Sequence, residues 1–220
     1  MTKKDEVLRE LGETGIIAVI RVNNPKDLIS TAYALLEGGV KFLEFTMTIP
    51  GALDIVKDVT KQIKEGAHIG VGTVLDAETA RAAILAGAQF VVSPICTREL
   101  VEVCRRYSIT VIPGGYTPNE IFTAWQMGAD VVKVFSAGIG GPSYFNDLKG
   151  PFPHIEILPT GGVNLETAPQ FIKAGAYAVA VGKALVSNEL IVSGNYNQIT
   201  ENAQKFSNVI RQTKESMKNK

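Results

Sequence analysis

Apolar residues in this chain fall into short runs that alternate with longer stretches of helical period. The runs at 15–21 (GIIAVIR), 40–46, 68–72, 89–93, 109–112, 131–135, 155–158 and 177–181 are nearly continuous in Val, Ile, Leu, Phe and Ala, the pattern of strands buried on both faces. Between them lie segments that predict helices: from Asn24-Pro25 to residue 37, then 51–65, 77–86, 97–107, 117–127, 144–149, 164–174 and a short one at 183–186. Asp76 reads as the cap of the third of these, and Pro25 suits the first turn of the first. Several helices stop at a glycine that is followed at once by an apolar strand, as in EGGV, AGAQF, MGADVV and AGAYAV. Two further helices, at 3–13 and about 197–216, stand outside the alternation.

Eight strands alternating with helices predict an α/β protein, a closed (β/α)8 TIM barrel with an extra N-terminal helix. An open doubly wound sheet is the competing arrangement, but it would leave two exposed edges. No linker or low-complexity segment interrupts the alternation, so residues 1–220 read as a single barrel domain. Composition adds little to this: 45% hydrophobic and 20% charged residues are ordinary for a large globular core. Charge excludes more. With 22 basic and 22 acidic residues the net charge is zero, which argues against nucleic acid or a membrane surface as partner. No apolar run has the length of a membrane span, and the charged N-terminus lacks a signal-peptide core. Cys96 and Cys104 are too few for a disulfide framework and read as free thiols, so the expected compartment is the cytoplasm.

Candidate chemistry begins with Lys133, set in the otherwise apolar run Val131 to Phe135. An ammonium is costly to bury, so such a lysine pairs, reaches solvent or loses its proton. A neutral lysine is a nucleophile able to form a Schiff base; the competing role is to bind an anion or a buried carboxylate. Period-two alternation puts Lys133 on one face with Val131 and Phe135, and Glu44 on one face with Phe42 and Thr46. If both faces line the barrel, an amine and a carboxylate share an apolar cavity, where Glu44 is either a general acid/base or half of a structural ion pair. Barrel chemistry sits at the C-terminal ends of strands. Arg21, Thr46 and Thr48, Gly72-Thr73, Ser93-Pro94, Pro113-Gly114-Gly115, Thr160-Gly161-Gly162 and Gly182-Lys183 fall there. Gly161, Gly162 and Gly182 follow the seventh and eighth strands, where such barrels hold phosphate on backbone N–H groups; two ordinary turns would look the same. Lys183 either adds charge to that site or is a solvated helix start. His68 and His154 are too far apart to suggest a metal cluster, Trp125 reads as packing, and the basic tail at 214–220 as a frayed end.

The motifs IIAVIR (16–21), GGVKFLEFTMTIPGA (38–52), IGVGTVL (69–75), GAQFVVSP (87–94), IPGGYTPNE (112–120), VVKVFSA (131–137), LKGPFP (148–153), LPTGGVN (158–164) and GAYAVAVGKALV (175–186) cover nearly the whole chain. Together they resemble the 2-keto-3-deoxy-6-phosphogluconate (KDPG) and 4-hydroxy-2-oxoglutarate (KHG) aldolases, the class I pyruvate aldolases of the Entner–Doudoroff pathway. The resemblance implies that Lys133 forms the Schiff base, Glu44 is the acid/base, and the covalent lysine imine replaces any metal or other cofactor. It implies that Thr73 bonds near the pyruvate carboxylate, that Pro94 and Phe135 shape the apolar wall, and that Thr160, Gly161, Gly162 and Gly182 hold the distal phosphate. The partners implied are a small 2-keto acid and a phosphorylated aldehyde, with a homotrimer as the assembly. The chain departs from the family pattern at Thr48, where some members carry a substrate-binding arginine, and Arg21 is expected to take that anion role. It also has Ser136 where KxFP is common and Lys183 where serine is common, which leaves a galactonate-derived epimer or an unphosphorylated keto acid as alternative substrates. A phosphosugar isomerase or a non-catalytic binding barrel would share the glycine site without needing Lys133.

Overall fold

The computed structural model describes residues 2–22 and 28–218, so the helix start expected at Asn24-Pro25 lies outside the described residues. Helix α1 (Lys3–Thr14) leads into β1 (Ile16–Ile20), followed by α2 (Leu28–Glu37), β2 (Phe42–Thr46), α3 (Ala52–Gln62) and β3 (His68–Gly72). Next come α4 (Ala77–Ala86), β4 (Phe90–Val92), α5 (Arg98–Arg106), β5 (Thr110–Ile112), α6 (Pro118–Met127) and β6 (Val132–Phe135). The chain ends with α7 (Gly141–Lys149), β7 (Ile157–Thr160), α8 (Thr167–Lys173), β8 (Val179–Val181), α9 (Asn188–Val192) and α10 (Tyr196–Lys218). Local chemistry sets the ends. Asp76 caps α4 and Gly87 closes it in the left-handed conformation; Thr117 and Glu120 form a capping box on α6, with Pro118 in its first turn.

The parallel sheet runs β5-β4-β3-β2-β1-β8-β7-β6. Its ends meet through a bridge between Gly114 and Lys133, in which the Lys133 N–H donates to Pro113 O (2.8 Å) and the Gly115 N–H to Lys133 O (2.9 Å). The closed (β/α)8 barrel predicted from the apolar runs is therefore the fold, and the lysine strand forms its seam. Alternate residues of the strands build two cores. Ile16, Ala18, Leu43, Phe45, Val91, Val132 and Val134 face the helices, while Ile17, Val19, Phe42, Phe90, Ile112 and Leu158 fill the barrel.

Helix α1 plugs the N-terminal end of the barrel. Val7 and Leu11 join the interior core, and four polar contacts pin the helix: Lys4 to Asp130 at 2.7 Å, the Tyr177 hydroxyl donating to Leu8 O at 2.7 Å, Lys214 Nζ donating to Gly12 O at 2.7 Å, and Glu10 against His68. The opposite, C-terminal mouth stays open.

Three expectations shift. Residues 183–186 form a turn rather than a helix; the short helix is α9, whose N-terminus is capped by Ser187 accepting from Leu190 N–H at 3.3 Å. Strand β7 begins two residues later than its apolar run and continues through Pro159, which stays in register with Val134. In β6, Val132 to Val134 are buried but Phe135 is 54% exposed, because the strand emerges there at the mouth. Among the described residues no helix is long and apolar enough to cross a membrane.

Candidate active site

Glu44 and Lys133 point into the barrel from β2 and β6 and are 1% and 6% exposed. Room for Glu44 comes from β3. Gly70 lies opposite Glu44 in register, and a Cβ there would stand 2.5 Å from the Phe90 ring. At Gly72 a Cβ would overlap the Glu44 carboxylate itself. The two glycines thus leave a notch in the barrel wall for one aromatic ring and one carboxylate.

Burial dominates the electrostatics of the pair. It pushes the Lys133 amine below its ordinary value, aided by the Arg21 charge and opposed by Glu44. It pushes the Glu44 carboxyl above its ordinary value, against the pull of Lys133 and Arg21. No ion pair joins the two among the described residues, and Glu44 Oε2 is buried without a hydrogen-bond partner. An unsatisfied buried carboxylate oxygen beside a buried amine is what a proton-transfer site looks like before substrate binds. The Phe135 ring centroid lies 5.5 Å from Lys133 Nζ and separates two clefts at the mouth.

The larger cleft, about 800 Å³, is lined by Val19, Arg21, Phe135, Thr160, Gly161, Gly162, Gly182 and Lys183, with Asn164, Ser187, Asn188 and Glu189 on its rim. Gly161 and Gly162 are both left-handed (φ 85° and 78°), a consecutive pair that side chains resist. Their turn is fixed by Asn164, whose Oδ1 accepts from the Thr167 and Glu166 N–H groups at 2.9 Å, and by the Thr167 hydroxyl donating to Gly162 O at 3.1 Å. Thr160 Oγ1 is buried and unpartnered among the described residues. Arg21 and Lys183 bring two cations to this backbone, a setting for an anion.

The smaller cleft, about 690 Å³, is lined by Pro94, Cys96, Gly114, Gly115, Tyr116 and Phe135 among others. Four predicted residues line neither: Lys133 and Glu44 lie buried, and Thr48 and Thr73 stand apart from both clefts. Thr48 is exposed and its hydroxyl lies 2.9 Å from that of Thr46; Thr73 leaves β3 in a left-handed conformation (φ 60°). The cysteines are chemically quiet: burial, the largest cause, pushes the Cys104 thiol up to about 12, and it also raises that of Cys96. Among the described residues no group of three or more His, Cys, Asp or Glu could hold a metal ion. Asn188 and Glu189 escaped the sequence reading because they open a helix that the apolar pattern places too early. Gly70 escaped it, and Gly72 entered only as a strand end, because a glycine in a strand reads as an absence.

Fold and site together define a (β/α)8 barrel with a lysine and a carboxylate buried beneath a mouth that carries two cations and a glycine-rich turn. Within that class the chain belongs to the KDPG and KHG aldolase family, whose model matches residues 6–202, and it is an aldolase. A 2-dehydro-3-deoxy-phosphogluconate aldolase of Pseudomonas aeruginosa is 32% identical over 188 residues, covering 85% of each chain. The KHG/KDPG aldolase of Escherichia coli K12 is 30% identical over 187 residues, covering 84% of this chain and 87% of its own. The solved KDPG aldolase of Legionella pneumophila, with pyruvate captured as a covalent carbinolamine, superposes with a TM-score of 0.84. It is 29% identical and the match covers 93% of this chain and 97% of that one.

Proposed function

We propose that this aldolase cleaves 2-keto-3-deoxy-6-phosphogluconate to pyruvate and glyceraldehyde 3-phosphate through an imine on Lys133. 4-Hydroxy-2-oxoglutarate, cleaved to pyruvate and glyoxylate, is a second substrate of the same site. The observation that carries this reading is Lys133 buried in the barrel with Glu44, burial pushing the amine below and the carboxyl above its ordinary value. Its amine attacks the C2 ketone to give a carbinolamine, and loss of water, with Glu44 supplying the proton, leaves a cationic imine. Glu44 as carboxylate then takes the C4 hydroxyl proton. The C3–C4 electron pair moves into the imine as C4 becomes the aldehyde carbonyl. Protonation of the enamine at C3 and hydrolysis release pyruvate and free the lysine. The imine is the electron sink, so the sequence of steps calls for no metal.

Gly161, Gly162, Gly182, Thr160 and Lys183 are proposed to take the distal phosphate, with Arg21 on the same anion and Thr73, Pro94 and Phe135 around the pyruvate end. Thr48 is too exposed to replace the arginine of other family members, which leaves that role to Arg21. The reading carries with it a cytoplasmic homotrimer.

Incubating the protein with pyruvate, reducing with borohydride and mapping peptides by mass spectrometry tests the core of the proposal. A pyruvate-derived adduct on Lys133 is expected; intact folded protein without one defeats the imine mechanism. Arg21 gives a second prediction. Its guanidinium contributes a charge-assisted contact of about 1.5–3 kcal/mol, so Arg21→Ala should raise KM about 10–100-fold for the phosphorylated substrate. A variant with unchanged kcat/KM would retire the role.

A further inference from the structure

We infer that Gly72 is a positioning residue for Glu44, an inference that rests on the acid/base reading of Glu44 given above. The φ of Gly72 lies outside the left-handed region, so its backbone does not require glycine. Its N–H and C=O belong to an ordinary ladder: it is in register with Thr46, and its carbonyl accepts from Met47 N–H at 2.8 Å. What glycine provides is space. A Cβ at this position would overlap Glu44 Oε1 and Cδ and would stand 2.8 Å from Cγ. No backbone atom is among those three nearest neighbours.

The carboxylate therefore leans from β2 across the face of β3 and rests on the Gly72 Cα. This placement holds the buried Oε2 free of hydrogen-bond partners. A methyl group at residue 72 meets the end of a flexible side chain rather than the wall of the barrel. The fold can absorb it by moving Glu44 away from β3, and a displacement of about 1 Å in a catalytic group costs about 10²-fold in rate.

The test is a double-mutant cycle on kcat/KM for 2-keto-3-deoxy-6-phosphogluconate. Gly72→Ala should lower it about 10²-fold in the wild-type background and leave it nearly unchanged in the Glu44→Gln background, where the proton-transfer group is already gone. The pyruvate adduct on Lys133 should still form in Gly72→Ala. Wild-type kcat/KM for Gly72→Ala overturns the inference, and so does the same loss in both backgrounds, which would mark a general packing defect. If Gly72→Ala alone fails to fold, Glu44→Ala combined with Gly72→Ala decides. A folded double variant supports a clash with the carboxylate, whereas an unfolded one places the defect elsewhere and overturns it. Failure of the acid/base reading itself is separable, since full activity of Glu44→Gln would reveal it before residue 72 is changed.

Discussion

Replacing Lys133 by methionine is expected to lower kcat/KM by about 10⁴-fold or more and to abolish the borohydride-trapped adduct, while the protein stays folded. Methionine fits the site: the position is 6% exposed and its neighbours on the strand, Val132 and Val134, are fully apolar. The loss would come from chemistry, because without the imine the electrons released at C3 have nowhere to go. Lys133→Arg sharpens the test. Arginine keeps the positive charge and offers a better fork for a carboxylate or phosphate, but it does not deprotonate and forms no imine. If Lys133 merely paired with an anion, the arginine variant would keep a substantial part of the activity that methionine loses. On the imine reading the two variants are equally inactive. Circular dichroism and thermal unfolding serve as the control, and an inactive variant that is also unfolded would say nothing about the lysine's role in catalysis. Turnover by folded Lys133→Met at the wild-type rate would return the molecule to the isomerase or binding-barrel readings.

Much of the fold was legible because both of its devices are local. A strand buried on two faces shows as an unbroken apolar run, and a helix that ends on a left-handed glycine announces its stop. Asp76 and Gly87 around α4, and the bounds of β3, were read correctly on those grounds. The site was legible in part. Period-two alternation placed Lys133 and Glu44 inside a common barrel, but it carries no depth, so the emergence of Phe135 at the mouth was not visible in it. Nor does an amphipathic helix say what covers its face. That Val7 and Leu11 close the barrel floor depends on contacts with strands far along the chain. The glycines of β3 were the hardest to read, since their meaning lies in Glu44 and Phe90, on the neighbouring strands. Strand β7 runs past its apolar stretch because Pro159 occupies a ladder position in register with Val134.

Glu44→Gln is expected to lower kcat about 10²–10⁴-fold, the usual worth of a positioned acid/base, while the amine still forms its imine, more slowly for want of the Glu44 proton at dehydration. Glutamine keeps the volume that rests on Gly72, so the change removes proton transfer and charge with little disturbance of packing. Its second effect is on pH. Burial holds the Lys133 amine below its ordinary value, Glu44 opposes that shift and Arg21 adds to it. Removing the carboxylate takes away the charge that favours the ammonium, so the apparent pKa of the amine falls further. Imine formation needs the free amine. The acid limb of the pyruvate-trapping rate, which rises as the ammonium loses its proton, should therefore move to lower pH in Glu44→Gln. Arg21→Ala has the opposite sign: loss of a neighbouring cation favours the ammonium, and the limb should move to higher pH. Because amine and carboxylate titrate as a pair, the wild-type limb belongs to both groups and the comparison of shifts, rather than any single midpoint, carries the argument. A limb that stays fixed in Glu44→Gln would mean that the carboxylate carries no charge beside Lys133 where the amine titrates. A limb that moves to higher pH would place the nucleophile elsewhere.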